Sequence, residues 1–263
     1  MELYLKDKVI LYTGAAGLIG SAACEQIASK GGKLVLIDND IKKLDLLTNK
    51  LSNLISNGSN ILKFSDVSLL NYKEIDFMLD TILEKFGKID CLINSAYPRT
   101  IDWSFKFEDI NFESWQKNVN EHMNSYFLVS QRTSLKMIEQ KYGNIINFSS
   151  IYGLLGPNFN VYQSSDEMTM PAAYSAIKGG ISNFTRYMAS YLGKYNIRVN
   201  AICPGGVKNN QNEKFIESYE SIVPLGKMAS VEDIVAPLLF LISDLSSYIT
   251  GVNLPVDGGW TAI

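Results

Sequence analysis

An α/β fold, a doubly wound three-layer sandwich with a parallel sheet between two helical layers, is what this 263-residue sequence predicts. Three observations carry the prediction. Short apolar runs alternate with longer segments of helical periodicity from one end of the chain to the other. Those runs lack the polar alternation of a half-exposed strand, as expected of strands buried on both faces. The residues that carry chemistry fall just after the runs, where an open parallel sheet binds its ligands.

The first run, residues 9–12 (VILY), leads through a glycine-rich turn into a helical pattern over 18–30. Runs at 33–37 (KLVLI) and 60–64 (NILKF) bracket a second pattern over 41–56, and a third over 69–86 precedes the run 91–94 (CLIN). A long pattern over 112–140 separates that run from 144–148 (NIINF). A pattern over 173–194 precedes 198–202 (RVNAI), and one over 231–243 precedes 253–256 (NLPV). Strand and helix alternate strictly, so the crossovers are right-handed and the seven strands parallel. With no repeat, low-complexity tract or long linker, the expectation is one domain over residues 1–263.

Composition narrows the function classes. Apolar residues make up 46% and charged residues 19%, ordinary for a globular protein, and the net charge of −3 argues against nucleic acid or an anionic membrane as partner. No window approaches the ~18 apolar residues of a membrane span, and the start "MELYLKDKVI" lacks the regions of a signal peptide. Cys24, Cys91 and Cys203 are odd in number and sit in apolar runs, which reads as reduced thiols in a cytoplasmic protein. One histidine excludes a His-rich metal site, and no metal is expected.

The turn after the first strand, "TGAAGLIG", spaces Gly14, Gly17 and Gly20 evenly. Gly14 suits a tight turn, Gly17 a close approach of backbone to a pyrophosphate, and Gly20 close packing of helix on strand. Backbone N–H groups at the helix start, with its dipole, favour an anion. A glycine turn that binds nothing is the alternative, and Asp38, 24 residues beyond Gly14 at the end of the second strand, weighs against it. Its carboxylate suits ribose hydroxyls, at about 1.5–3 kcal/mol per charge-assisted bond, and repels a 2′-phosphate. No Arg or Lys lies between Thr13 and Gly20, and Asn39 and Asp40 follow Asp38, so NAD is expected over NADP.

Tyr174 and Lys178 in "AAYSAIKGG" stand four apart, on one helical face. A tyrosine acting as base near neutrality needs its pKa lowered by about 3 units, roughly 4 kcal/mol, which an ammonium and a cationic nicotinamide ring can provide. Spacing alone proves little, because Tyr4 and Lys8 repeat it. Position discriminates: Tyr174 follows the strand end at Ser149–Ser150.

With "TGAAGLIG", "DV" at 66–67, "NSA" at 94–96, "NFSSIYG", "YSAIK", "IRVNAICPGGV" and "ITGVNLPVDGG" in order, the chain resembles the single-domain short-chain dehydrogenases/reductases over nearly its full length. The resemblance implies a Rossmann-type fold, hydride transfer at a carbon bearing a hydroxyl or carbonyl, and a homo-oligomer. It implies Tyr174 as acid/base, Ser150 on the reacting oxygen, and Lys178 lowering the tyrosine pKa while holding the nicotinamide ribose. Gly14, Gly17, Leu18 and Ile19 would face the pyrophosphate, Asp66 and Val67 adenine, Asn94 and Ala96 the cofactor ribose. Pro204, Gly205 and Val207 would lie at the carboxamide.

The chain departs from the family pattern at several places. Leu18 stands where the single-domain branch has its middle glycine. His122 falls where the family has a relay asparagine; it either joins the relay or satisfies a local hydrogen bond, and Asn120 takes the position if the helix is irregular. "NSAYPRT" replaces a glycine by Tyr97 and brings Arg99, either a carboxylate- or phosphate-binding guanidinium or a surface arginine. Ser150 and Tyr174 are 24 residues apart, about twice the family separation, through an insertion over 156–171 that covers the substrate or decorates the surface. Together these features resemble the flagellin-modification oxidoreductases of bacterial surface-glycan pathways, which implies a sugar, amino-sugar or nonulosonic-acid substrate. Two rivals remain: an epimerase or dehydratase that recycles its NAD, suggested by the glycine spacing, and a non-catalytic NAD-binding regulator.

Overall fold

Uninterrupted apolar runs become the strands of the sheet. The computed structural model describes residues 5–54, 60–162 and 169–263. In chain order the strands are β1 (Val9–Thr13), β2 (Lys33–Ile37), β3 (Ile61–Phe64), β4 (Cys91–Asn94), β5 (Gly143–Phe148), β6 (Ile197–Pro204) and β7 (Asn253–Val256). They form one sheet in the order β3-β2-β1-β4-β5-β6-β7, every pairing parallel. The chain starts in the middle of the sheet, winds outward to β3, then returns to build β4 to β7 on the other side. The reversal lies between β1 and β4, and the crevice beyond their carboxyl ends is where such a sheet binds ligands.

The helices are α1 (Leu18–Ser29), α2 (Ile41–Leu54), α3 (Tyr72–Phe86), α4 (Phe112–Asn118), α5 (Ser125–Gln140), α6 (Ala172–Leu192), α7 (Glu213–Glu220) and α8 (Val231–Ile242). Successive residues of β1 serve opposite layers, which is why it carries no polar alternation. Ile10 and Tyr12 pack with α1, α2 and α8, through Ile27, Leu44 and Leu238. Val9 and Leu11 pack with α3, α5 and α6, through Met78, Val129 and Leu192. Each Leu or Ile buried in these layers contributes about 1.5–3 kcal/mol of transfer free energy.

Local chemistry trims the expected boundaries. The third helix begins at Tyr72 because Asn71 caps it, accepting from the Lys73 N–H, and it ends where Gly87 turns left-handed at φ 75°. Ser230 and Asp233 form a reciprocal capping box at the start of α8. The pattern over 112–140 is three elements: α4, a π-helical turn over Val119–Asn124, and α5. Residues 55 and 56 of the second expected helix, and Tyr4 of the decoy Tyr/Lys pair, lie outside the described residues. Helix α7 was not expected. Its eight residues bury only Phe215 and Tyr219, too few turns for periodicity to show.

Candidate active site

At the carboxyl end of β1 the chain turns at Gly14, where a φ of +72° and the Ala96 nitrogen, 2.9 Å from where a Cβ would stand, leave no room for a side chain. A Cβ on Gly20 would stand 2.4 Å from the Gly14 carbonyl, so α1 presses against the turn as close packing requires. Gly17 is the N-cap of α1, with no side-chain cap and no acidic residue in the first turn. The first-turn N–H groups, including those of Leu18 and Ile19, therefore meet the crevice with the positive end of the dipole. Leu18 is half-exposed at 46%, so a side chain stands where the family has glycine without closing the loop.

Asp38 is tied to this turn: Oδ2 accepts from the Ala16 N–H at 2.9 Å and Oδ1 from the Asp40 N–H at 3.0 Å. Each oxygen keeps acceptor capacity for a diol. Glycine clearances, an uncapped helix start and a fixed carboxylate together fit a dinucleotide. Asp66 is exposed and Val67 half-buried just after β3. The Thr13 hydroxyl accepts from the Ser95 and Ala96 N–H groups at 3.1 and 3.3 Å, stitching the end of β1 to the end of β4. Asn94 is buried at the end of β4. Its amide donates to Ser130 of α5 and Asn147 of β5, both at 2.9 Å. Its amide N–H donors are thus spent inside the protein. Pro204 ends β6 and Gly205 and Val207 follow it, held by the Gly205 N–H on the Val256 carbonyl and a bridge from Val207 to Ala229.

The chemical groups converge at the end of β5. Ser150, buried there, is hydrogen-bonded to Tyr174 and accepts from the Tyr152 N–H at 3.2 Å. One turn along α6 from Tyr174, Lys178 is buried to 4% exposure; its Nζ donates to the Phe148 carbonyl at 2.6 Å and lies 3.3 Å from His122 Nε2. The π-helical turn aims the imidazole inward: the extra residue rotates His122 onto the buried face. Asn120 points away, exposed, accepting from Asn124 at 2.9 Å. His122, not Asn120, thus meets Lys178.

Burial dominates the electrostatics. It draws the Lys178 pKa down to about 7. It holds His122 well below the ordinary histidine range, with the Lys178 charge acting the same way, so the imidazole is neutral and Nε2 accepts from the ammonium. Burial also raises the Tyr174 pKa, against the hydrogen bond from Ser150. The lowered tyrosine pKa expected from the Tyr/Lys spacing is therefore not met by the protein alone. Desolvation of the phenolate is the largest cause, and the Lys178 ammonium is engaged by the Phe148 carbonyl and His122.

A wall of aromatic rings stands on the other side of Tyr174. The Tyr97 ring lies 5.5 Å from Tyr174 and 5.3 Å from His122, edge-on to each. Its hydroxyl accepts from Trp103 Nε1 at 2.9 Å, and the exposed Arg99 guanidinium sits 5.1 Å over its outer face. Opposite, Tyr152, Tyr162, Phe215, Tyr219 and Trp260 form a cluster against which Met170 and Tyr174 pack. Both described ends of the 156–171 insertion thus reach this cluster; its centre, 163–168, lies outside the described residues. Sequence reasoning missed Trp103, Tyr126 and Tyr152. Their signals are weak, since a lone aromatic in a loop or helix reads as core.

Comparison with known proteins agrees with this geometry. The family model for enoyl-(acyl carrier protein) reductases matches residues 14–261. The chain is 35% identical over 257 residues to the post-translational flagellin modification protein A of Campylobacter coli, covering 97% of this chain and 99% of that one. The chain belongs to the short-chain dehydrogenases/reductases. Among solved members, a short chain dehydrogenase from Leptospira borgpetersenii with bound NAD+ superposes with a TM-score of 0.85 at 34% identity, covering 98% of this chain and 94% of that one. A 7α-hydroxysteroid dehydrogenase of Bacteroides fragilis is 30% identical over 263 residues, covering 97% of this chain and 95% of that one. As a short-chain dehydrogenase/reductase the chain is an NAD(P)-dependent oxidoreductase of alcohols and ketones. Its departures lie in the relay position, the Tyr97–Arg99 loop and the insertion.

Proposed function

We propose that this enzyme uses NAD to exchange hydride at a secondary alcohol or ketone carbon of a sugar, amino-sugar or nonulosonic-acid derivative, in surface-glycan biosynthesis of the flagellin-modification type. The carrying observation is the convergence of Ser150, Tyr174, Lys178 and His122 beside a glycine turn that Asp38 braces. Asp38 favours NAD, because a 2′-phosphate would meet its carboxylate with Asp40 close behind and no basic residue in the turn.

Bound nicotinamide supplies the hydride acceptor and a positive charge. In the oxidative direction Tyr174 takes the hydroxyl proton as the C–H hydride leaves the same carbon, and Ser150 holds the oxygen. Lys178 favours the phenolate and holds the ribose; His122 Nε2 is placed to pass protons to and from Lys178. The first-turn N–H groups of Leu18 and Ile19 would hold the pyrophosphate, Gly17 leaving room for it to approach the backbone. Asp66 and Val67 border adenine, while Ala96 and the Asn94 backbone border the ribose. Pro204, Gly205 and Val207 border the carboxamide.

The substrate class rests on Arg99 and Tyr97, a guanidinium for a carboxylate or phosphate next to a ring face for a sugar, and on the likeness to the Campylobacter coli protein. The insertion covers the substrate from the other side. Stacked aromatics along α6, Phe184, Tyr187 and Tyr191, the last two 63% and 54% exposed, support a homo-oligomer through this face. Three buried free thiols support a cytoplasmic setting.

The test is a screen for NAD reduction over sugars, sugar phosphates, nucleotide sugars and nonulosonic acids. Net NADH with an acidic sugar is expected. Turnover without net NADH would favour the recycling epimerase or dehydratase instead.

A further inference from the structure

Lys178 is a buried ammonium with no carboxylate partner among the described residues. A buried cation ordinarily demands a counter-charge. Instead its Nζ stands over three ring faces, Tyr126 at 5.5 Å, Tyr174 at 5.5 Å and Tyr97 at 5.9 Å. These distances fall within the range of cation–π attraction. The three rings come from separate parts of the fold: α5, α6 and the loop after β4.

We propose that Tyr126 and Tyr97 are positioning residues that, with the Tyr174 ring, enclose the Lys178 ammonium in a three-faced aromatic cage and keep it charged without a carboxylate. The proposal rests on the reading above in which a charged Lys178 favours the Tyr174 phenolate.

Tyr126 shows that the ring, not the hydroxyl, is what the position uses. The side chain is 2% exposed and its phenol oxygen, fully buried, has no hydrogen-bond partner. An orphaned hydroxyl costs stability, so a hydrogen-bonding role does not explain it. The other groups facing the ammonium are neutral or dipolar. They are the Phe148 carbonyl from the β5 end, His122 from the π-helical turn, and the Cys203 thiol from β6, which burial raises to about 11. Burial likewise raises the Tyr97, Tyr126 and Tyr174 hydroxyls, which stay protonated near neutrality. Arg99 is the nearest further cation in this wall and lies against the Tyr97 ring. It draws on the same ring, which lies farther from the ammonium than that of Tyr126, so Tyr126 is the stronger of the two added walls. Since Lys178 titrates close to neutrality, each ring decides how much of it is charged.

The experiment titrates the free protein labelled with 13Cε-lysine, the Lys178 resonance being assigned by its loss in Lys178→Arg. Tyr126→Leu and Tyr97→Leu are expected to lower the Lys178 pKa by about 0.5–1 pH unit each, whereas Tyr126→Phe and Tyr97→Phe leave it in place. The basic limb of the kcat profile should move down by the same amount in the Leu variants. Equal shifts in the Phe and Leu variants, or none in either, would overturn the cage. If Tyr126→Leu fails to fold, the half-exposed Tyr97 pair decides. The titration needs no substrate, so failure of the substrate screen leaves it standing. A null titration in a working dehydrogenase removes the cage alone.

Discussion

The chain has one histidine, His122, and it is fully buried and held neutral, so its protonation must be visible in stability. The folded pKa lies well below the unfolded value of about 6.5, so the unfolded state binds the proton first as pH falls. Stability is then full above about pH 6.5 and is lost as pH drops below it, at about 1.4 kcal/mol per pH unit until the folded pKa is reached. At pH 5 the loss from this group is about 2 kcal/mol, before most carboxylates begin to titrate. Lys178 sharpens the effect, since its ammonium at 3.3 Å opposes a second charge. Urea midpoints at fixed protein concentration, measured at about pH 7.5, 6 and 5, should fall for the native protein by roughly 0.7 M if m is near 3 kcal/mol/M. His122→Asn should lose the fall between pH 6 and 5, keeping only the shallow rise toward pH 7.5 that Lys178, titrating near 7, contributes. If the Asn variant kept the native slope, the neutral buried imidazole assigned here would be wrong.

Four further outcomes follow from the site. Tyr174→Phe should lower kcat by about 10²–10⁴ while NAD still binds, as isothermal titration would show. Asp38→Ala should weaken NAD by about 10–100-fold, the worth of one charge-assisted bond, and narrow the preference over NADP, read from the ratio of kcat/KM for the two. Arg99→Ala should raise KM for an acidic sugar by about tenfold or more with little change in kcat, if, as proposed, its charge binds substrate away from the reacting carbon. Tyr187→Glu on the exposed α6 ladder should shift sedimentation toward smaller species, and an unchanged assembly would move the interface elsewhere.

Much of this architecture could be read from the residues because burial on both faces leaves apolar runs such as VILY and CLIN, and ligands gather where those runs end. Gly14 and Asp38 were legible for the same reason: backbone clearance and a strand-end carboxylate are local demands. What escaped is long-range. That Asn94 turns inward to Ser130 and Asn147 depends on partners 36 and 53 residues away. The choice between Asn120 and His122 depended on one extra residue in a helical turn, which no periodicity resolves. Burial raises the Tyr174 pKa in the protein alone, a cost that the pairing chemistry visible in a sequence does not show. Tyr126 looked like core, and its contact with Lys178 arises only when α5 and α6 pack.

The central claim is that Tyr174 and its neighbours move hydride directly between a secondary carbinol carbon and NAD. The most direct measurement follows the label: an accepted alcohol deuterated at that carbon is incubated with NAD, and the product nicotinamide is examined by NMR. One deuterium at C4 of the nicotinamide, absent with Tyr174→Phe, is the predicted result. Product formed with no deuterium on the nicotinamide, or with label lost to solvent, would contradict the account.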